Sequence, residues 1–323
     1  MRLTAVFATI CASVFVSSLF AAQSYPTKPV RIIVPFSSGG PTDIVARIVG
    51  QKLSESFNKP VVIENRLGAA GVVGADMVAK SSPDGYTLLL CSSGPMVVSP
   101  GLQDKMPYDS VRDFAPVILV VSIPYVLMVN PSFPAQSVKE LIALAQAKPG
   151  QLNYGSAGSG SAGHLASELF KSMAKINMVH IPYKGSAPAA IDLMAGQLQL
   201  LLDPAPSGLP HVRGGKLRGL GISTTRRFSL LPDLPTIAEA GLPGYEASVW
   251  SGICAPARTP RDIVAKLNRE IAKGVSSNDA KERFLSLSAD ISLNTPEQFA
   301  AFISTELRKW SRMISETGAK ANY

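Results

Sequence analysis

The chain has 323 residues, of which 46% are hydrophobic and 17% charged. That composition excludes a disordered polymer, and the length exceeds what one hydrophobic core usually serves, so two domains are expected. The net charge of +8 comes from scattered Lys and Arg with 7% aromatic residues and no basic run, which argues against nucleic-acid binding and fits a solvated surface with mild attraction for acidic solutes.

Met1 and Arg2 precede the uninterrupted apolar run LTAVFATICASVFVSSLFAA, and Ala22 and Ser24 put small side chains where a signal peptidase reads if it cuts before Tyr25. A run of that length could also anchor in a bilayer, but the small-residue exit favours cleavage. Residues 1–24 are therefore expected to be a signal peptide, leaving a soluble, periplasmic mature chain. Cys11 leaves with the signal. Cys91 in TLLLCSS and Cys254 in SGICAPA remain; an oxidising compartment would permit a disulfide between them, but two cysteines make no disulfide scaffold, so two buried thiols are the favoured expectation.

Residues 30–53, VRIIVPFSSGGPTDIVARIVGQKL, read as strand, Ser/Gly loop and helix. VVIENRLGAAGVVGADMVAK (61–80) repeats that order, and YTLLLCSSGPMVVSP (86–100) adds an apolar strand with a small, polar loop. A long β-rich run from Phe114 is broken by Pro124 and leads into the helix SVKELIALAQA, with Ser137 as N-cap and Glu140 at the capping-box position. The opening pattern then returns. LNYGSAGSGSAGHLASELFKSM (152–173), INMVHIPYKGSAPAAIDLMAGQ (176–197) and QLQLLLDPAPSGLPHV (197–212) echo the first three segments in order. Two β-α-β-α-β units thus occupy residues 30–99 and 152–211, each favouring a parallel sheet with right-handed crossovers. A Pro-rich stretch, the return strand SGICAPA and two amphipathic helices near 260–275 and 296–317 finish the chain. Sending both ends of the chain to the first lobe gives two crossings and a hinge, with the facing strand-to-helix loops lining one cleft.

Gly158, Gly160 and Gly163 satisfy G-x-G-x-x-G, yet the next strand ends in HIPYKG, with Lys184 where a dinucleotide fold needs an acidic residue for the ribose. GGKL (214–217) lacks the spacing and hydroxyl of a phosphate loop. None of Ser156, Ser159 and Ser161 is flanked as G-x-S-x-G requires. His164, His180 and His211 are the only histidines, with no metal-ligand spacing among them. The expectation is a binding protein with no catalytic residues, metal or cofactor. PFSSGGPTD, CSSGPM and GSAGSGSAGH instead offer backbone N–H groups and hydroxyls at helix N-termini, with no Arg or Lys inside them. Two such ends facing each other suit a small molecule bearing carboxylates.

YPTKPVRIIVPFSSGGPTDIVAR, VVIENRLGAAGVVGADMVA, SPDGYTLLL, PYDSVRDFAPV, YGSAGSGSAGHLASELF, HIPYKGSAPAAIDLMAGQ, LPDLPTIAEAGLPGYE and TPRDIVAKLN closely resemble the Bug-type solute-binding proteins, receptors of tripartite tricarboxylate transporters, across essentially the whole mature chain. One departure is VVSPGL, where Ser99 stands in place of the Asn common before Pro. The resemblance implies an α/β, two-lobed type II periplasmic binding fold, each lobe a mainly parallel sheet flanked by helices, joined by two crossover segments. Residues 25–125 plus 251–323 would form the first lobe and 126–250 the second. It further implies a monomeric receptor that delivers a small carboxylate to a two-component membrane permease; a sensor subunit presenting its closed form to a signalling protein is the alternative.

The site is expected to draw Phe36, Ser37, Ser38, Gly39 and Gly40 from the first loop, and Ser92 and Ser93 from the third. Asp43 is expected chiefly to orient backbone donors. From the second lobe come Ser156, Gly158, Gly160, Ser161 and His164, then Lys184 and Gly185, and Asp203 either at the ligand or capping a helix start.

Overall fold

Strand segments such as RIIV and TLLLC are apolar at nearly every position, the pattern of sheets covered on both faces. A computed structural model describes residues 25–317 except 104, 160 and 184, so the expected signal segment, residues 1–24, lies outside the described residues. The first unit runs β1 (Val30–Val34), α1 (Pro41–Phe57), β2 (Val61–Asn65), α2 (Val72–Ala79) and β3 (Thr87–Ser92), followed by a wide turn over Gly94–Val98 and the short α3 (Ser99–Leu102). β4 (Phe114–Val129) and α4 (Val138–Ala147) lead to the second unit: β5 (Asn153–Ser156), α5 (Ala162–Ala174), β6 (Val179–Pro182), α6 (Ser186–Met194), β7 (Leu200–Pro204), α7 (Ala205–Arg213) and β8 (Arg218–Ile222). The chain closes with β9 (Ser248–Pro256), α8 (Arg261–Val275), α9 (Asn278–Ser286), β10 (Asp290–Ile291) and α10 (Pro296–Thr317).

The echo in sequence is an echo in topology. β1 pairs in parallel with β2 and β3, and β5 pairs in parallel with β6 and β7, so the orders β2-β1-β3 and β6-β5-β7 are the same. Antiparallel β9 joins β3 and β4 in the first sheet, where β10 also pairs with β4, and in the second sheet β4 pairs antiparallel with both β7 and β8, which makes both sheets mixed. This is the α/β, two-lobed class expected.

β4 belongs to both sheets. Phe114–Pro124 pairs with β9, and Tyr125–Val129 pairs with β7 and β8. The sequence reading expected Pro124 to break this run, yet the strand continues through it: proline removes one donor, and Pro124 sits opposite Ser248 at the junction where the strand changes partners. Ser137 caps α4 as expected, its Oγ accepting from Glu140 N at 3.2 Å, while Glu140 Oε2 accepts from Gln136 N, one residue before the cap, at 2.8 Å rather than from Ser137 N.

The two cysteines are a correction. Cys91 and Cys254 form a disulfide between β3 and β9, not two free thiols. Leu89 is opposite Cys254 and Cys91 opposite Gly252, so the cysteines are diagonal neighbours on one sheet face with Cα atoms 5.9 Å apart, inside the bridging range. Their separation of 163 residues hid that proximity from the sequence.

Three apolar clusters fill the layers. Val30, Ile32, Leu88 and Ile253 face α1 and α8, while Val126, Met128 and Leu201 face α6 and α7. The third cluster runs through both sheets, from Ile33, Leu89 and Trp250 to Tyr125, Leu127, Tyr154 and Phe170, and α10 contributes Phe299, Ile303 and Trp310 to it.

At the junction of the sheets the fully buried Ser223 ties three segments together. Its Oγ accepts from Tyr125 N at 2.7 Å and donates to Ala247 O at 2.5 Å, while its own N–H donates to Tyr125 O and its carbonyl accepts from Ala247 N. Ser223→Ala removes both side-chain bonds and strands a buried N–H, so unfolding in urea should show a loss of about 1–3 kcal/mol.

Candidate functional site

The C-terminal ends of β1 and β3 and of β5, β6 and β7 carry the loops singled out above. In the first lobe Phe36 is half-buried and Ser37, Ser38 and Gly39 are exposed, ahead of Gly40, which caps α1 with Pro41 at its first helical position. The loop is organised by Asp43. Its Oδ2 accepts from Gly39 N at 2.9 Å and from Arg47 Nε at 2.8 Å, and its Oδ1 accepts from Asn65 Nδ2 at 2.8 Å. Asn65 Nδ2 also donates to Phe36 O at 2.9 Å, so one amide at the end of β2 holds both the loop backbone and the carboxylate. Arg47 reaches Ser38 Oγ at 3.2 Å.

Burial alone would raise the Asp43 pKa. The hydrogen bonds from Arg47, Gly39 N and Asn65 overcome it and hold the carboxyl down from 3.8 to about 2. Asp43 and Arg47 neutralise each other, leaving the loop N–H groups and the α1 N-terminus to attract an anion. In the third loop Ser92 Oγ is buried with no partner among the described residues, beside the buried Ser93. Tyr108 Oη donates to Pro95 O at 2.7 Å and fixes the turn that follows.

The second lobe presents a turn at Gly158, whose φ of 137° glycine alone adopts without strain. Gly158 N donates to Ser156 Oγ at 3.1 Å, so that amide is engaged within the loop in this conformation. Ser161 caps α5, its Oγ accepting from His164 N at 3.3 Å. The first two amides of α5, those of Ala162 and Gly163, lie where a helix has no intrahelical acceptor for them. Gly163 lets the first turn lie close on β7, where a Cβ would come within 2.8 Å of Leu202 O.

His164 lies beneath that turn, its ring stacked on His180 at 4.0 Å between centroids. Burial lowers its pKa, with Lys171 adding to the effect and Glu168 opposing it. Asp203, buried at the end of β7, accepts from Ser186 Oγ at 2.6 Å and from Ser207 Oγ, the hydroxyls at the starts of α6 and α7. Burial raises its pKa against those two bonds. Both oxygens are thereby engaged in joining helix starts. Gly185 caps α6 and its N–H donates to Ala157 O at 3.1 Å, tying two loops of this lobe together. Gly160 and Lys184 lie outside the described residues.

Arg47, Asn65 and His180 were missed by sequence reasoning. Arg47 is four residues after Asp43, a spacing that signals a helical ion pair; Asn65 and His180 reach the loops only through strand pairing.

Residues 45–319 match the tripartite tricarboxylate transporter family receptor. The chain belongs to this family. Among its relatives is the Bordetella pertussis protein BugT, 41% identical over 99% of this chain and 98% of BugT. The R. palustris protein solved with adipate is 38% identical, covers 92% of this chain and 99% of its own, and superposes with a TM-score of 0.73. A Polaromonas TctC solute-binding protein solved with no ligand is 25% identical, with coverage of 90% and 99% and a TM-score of 0.83. The receptor is thus of the periplasmic solute-binding type, and among the described residues no helix is long and apolar enough to cross a membrane.

Asp43 offers a direct pH test. Folding lowers its pKa, so the stability it contributes is present above its ordinary value of 3.8 and is lost as pH falls toward about 2. Urea midpoints of the wild type and Asp43→Asn should therefore differ near neutral pH and converge through that acid window.

Proposed function

We propose that this receptor closes its two lobes on a small dicarboxylate, held at the N-terminal starts of α1 and α5, and delivers it to a tripartite tricarboxylate permease. The observation that carries the reading is the pair of helix starts, α1 and α5, at corresponding loops of the two repeated units, the one beginning after Gly40 and the other after Ser161. A helix N-terminus with open amides attracts a carboxylate without a metal or a free arginine. The relative solved with adipate supports the ligand class.

The proposed lobes are residues 25–125 with 251–323, and 126–250, hinged where β4 passes Tyr125 and where the chain returns into β9. The better superposition on the ligand-free relative, despite its lower identity, supports an open arrangement before binding. The receptor acts as a monomer and leaves its solute chemically unchanged. Calorimetry with adipate and shorter dicarboxylates should give stoichiometric binding, weakened by about 1–3 kcal/mol in Ser161→Ala. Small-angle scattering should show a smaller radius of gyration at saturating ligand; an unchanged profile would count against closure.

Export with cleavage before Tyr25 completes the reading. Tyr25 Oη donates to Gly85 O at 2.6 Å and its ring packs edge-on against Phe57 and Tyr86, so a cut further inside would remove a built-in residue. N-terminal sequencing of periplasmic protein should begin at Tyr25.

A further inference from the structure

We infer that His180 on β6 is a positioning residue for the anion loop of the second lobe: through its Nε2 it holds the Ser156 hydroxyl, and through that the Gly158 turn and the start of α5. The inference deepens the proposed cleft site and rests on that reading for its effect on affinity.

The register opposes Tyr154 on β5 to His180 on β6, and Ser156 lies two residues beyond Tyr154 on the same face, the face covered by α5. His180 Nε2 is 2.7 Å from Ser156 Oγ. That oxygen also lies 3.1 Å from Gly158 N and 3.0 Å from Gly158 O. Counting donors decides the tautomer. The hydroxyl has one proton and accepts the Gly158 N–H; if the proton goes to Gly158 O, the imidazole must donate from Nε2, and that arrangement alone satisfies all three contacts. Gly158 O in turn accepts from Ser161 N at 3.1 Å, and Ser161 is the cap of α5. A continuous path of hydrogen bonds therefore runs from the β6 imidazole to the helix start that faces the cleft.

The ring is itself held on both sides. His164 stacks on it at 4.0 Å and Tyr154 at 4.9 Å. Tyr154 Oη donates to Glu168, which pairs with Lys171 at 2.7 Å, and the Lys171 ammonium lies 5.3 Å from the Tyr154 ring centroid. Burial, followed by the neighbouring His164, lowers the His180 pKa to about 4, with Glu168 opposing and Lys171 assisting. The ring is thus neutral at working pH, and one of its nitrogens is reserved for Ser156.

His180→Phe keeps the stacked ring and removes the donor, whereas His180→Gln keeps an N–H at the position of Nε2. Calorimetry with adipate should show a loss of about tenfold or more for His180→Phe, recovery toward wild type in His180→Gln, and no further loss on adding His180→Phe to Ser156→Ala. Wild-type affinity in His180→Phe, equal losses in Phe and Gln, or additive losses with Ser156→Ala would overturn the inference. Amide hydrogen exchange without ligand separates it from the cleft reading. Exchange over Ser159–Leu165 should rise in His180→Phe and not in His180→Gln. If wild type binds no dicarboxylate while that exchange pattern holds, the cleft reading fails and the positioning role stands; unchanged exchange in His180→Phe overturns the role itself.

Discussion

One strand serving two sheets is the constraint on which the rest of the architecture depends. β4 gives its first part to the sheet containing β1 and β3 and its last five residues to the sheet containing β5 and β7. The strands that lead into the helix starts of both repeated units trace back to β4, through β3 and β9 on one side and through β7 on the other. The strand changes partners at Pro124 and Tyr125, where a proline offers no N–H to either sheet and the buried hydroxyl of Ser223 takes the Tyr125 amide. A side-chain bond from Ser223 substitutes there for the regular ladder, at the point where β4 changes sheets. The apolar cluster shared through α10 bridges the two sheets, because α10 packs against both β4 and α5.

Electrostatics at the two loops follows one rule. Charged side chains near these loops are paired within the protein: Asp43 with Arg47 in the first unit, Glu168 with Lys171 in the second, and Asp203 with two hydroxyls. A carboxylate at Asp43 is affordable at the start of a helix because Gly39 N, Asn65 and Arg47 all donate to it. With that charge neutralised, the positive end left at the start of α1 is the fixed dipole of the helix itself.

Much of the fold was legible in the sequence. The repeated strand, small-residue loop and helix follow from local chemistry: apolar runs for strands covered on both faces, Gly and Ser where the backbone turns tightly, and Ser137 or Pro41 where helices begin. The glycines of the second lobe's loop belong to the same local logic, since the positive φ of Gly158 excludes most other residues. Asp43 bonds the loop backbone in the way the orienting expectation described, whereas Asp203 caps neither neighbouring helix and instead accepts the Ser186 and Ser207 hydroxyls. The misreadings have one cause. The free-thiol expectation for Cys91 and Cys254 and the break expected at Pro124 both depend on which strands are neighbours, and neighbours far apart in sequence leave no periodic trace.

The sequence by itself thus determined the repeated units, the loops with open amides and the family to which the chain belongs, because each is carried by contiguous residues whose conformational preferences are intrinsic. Only the tertiary structure decided which side chains hold those loops. Asn65 reaches Phe36 and Asp43 because β2 lies beside β1, and His180 reaches Ser156 because β6 lies beside β5. A hydrogen bond needs its two atoms within about 3.5 Å, and that proximity is set by strand register and by the seating of helices on sheets, which no local stretch of the chain encodes.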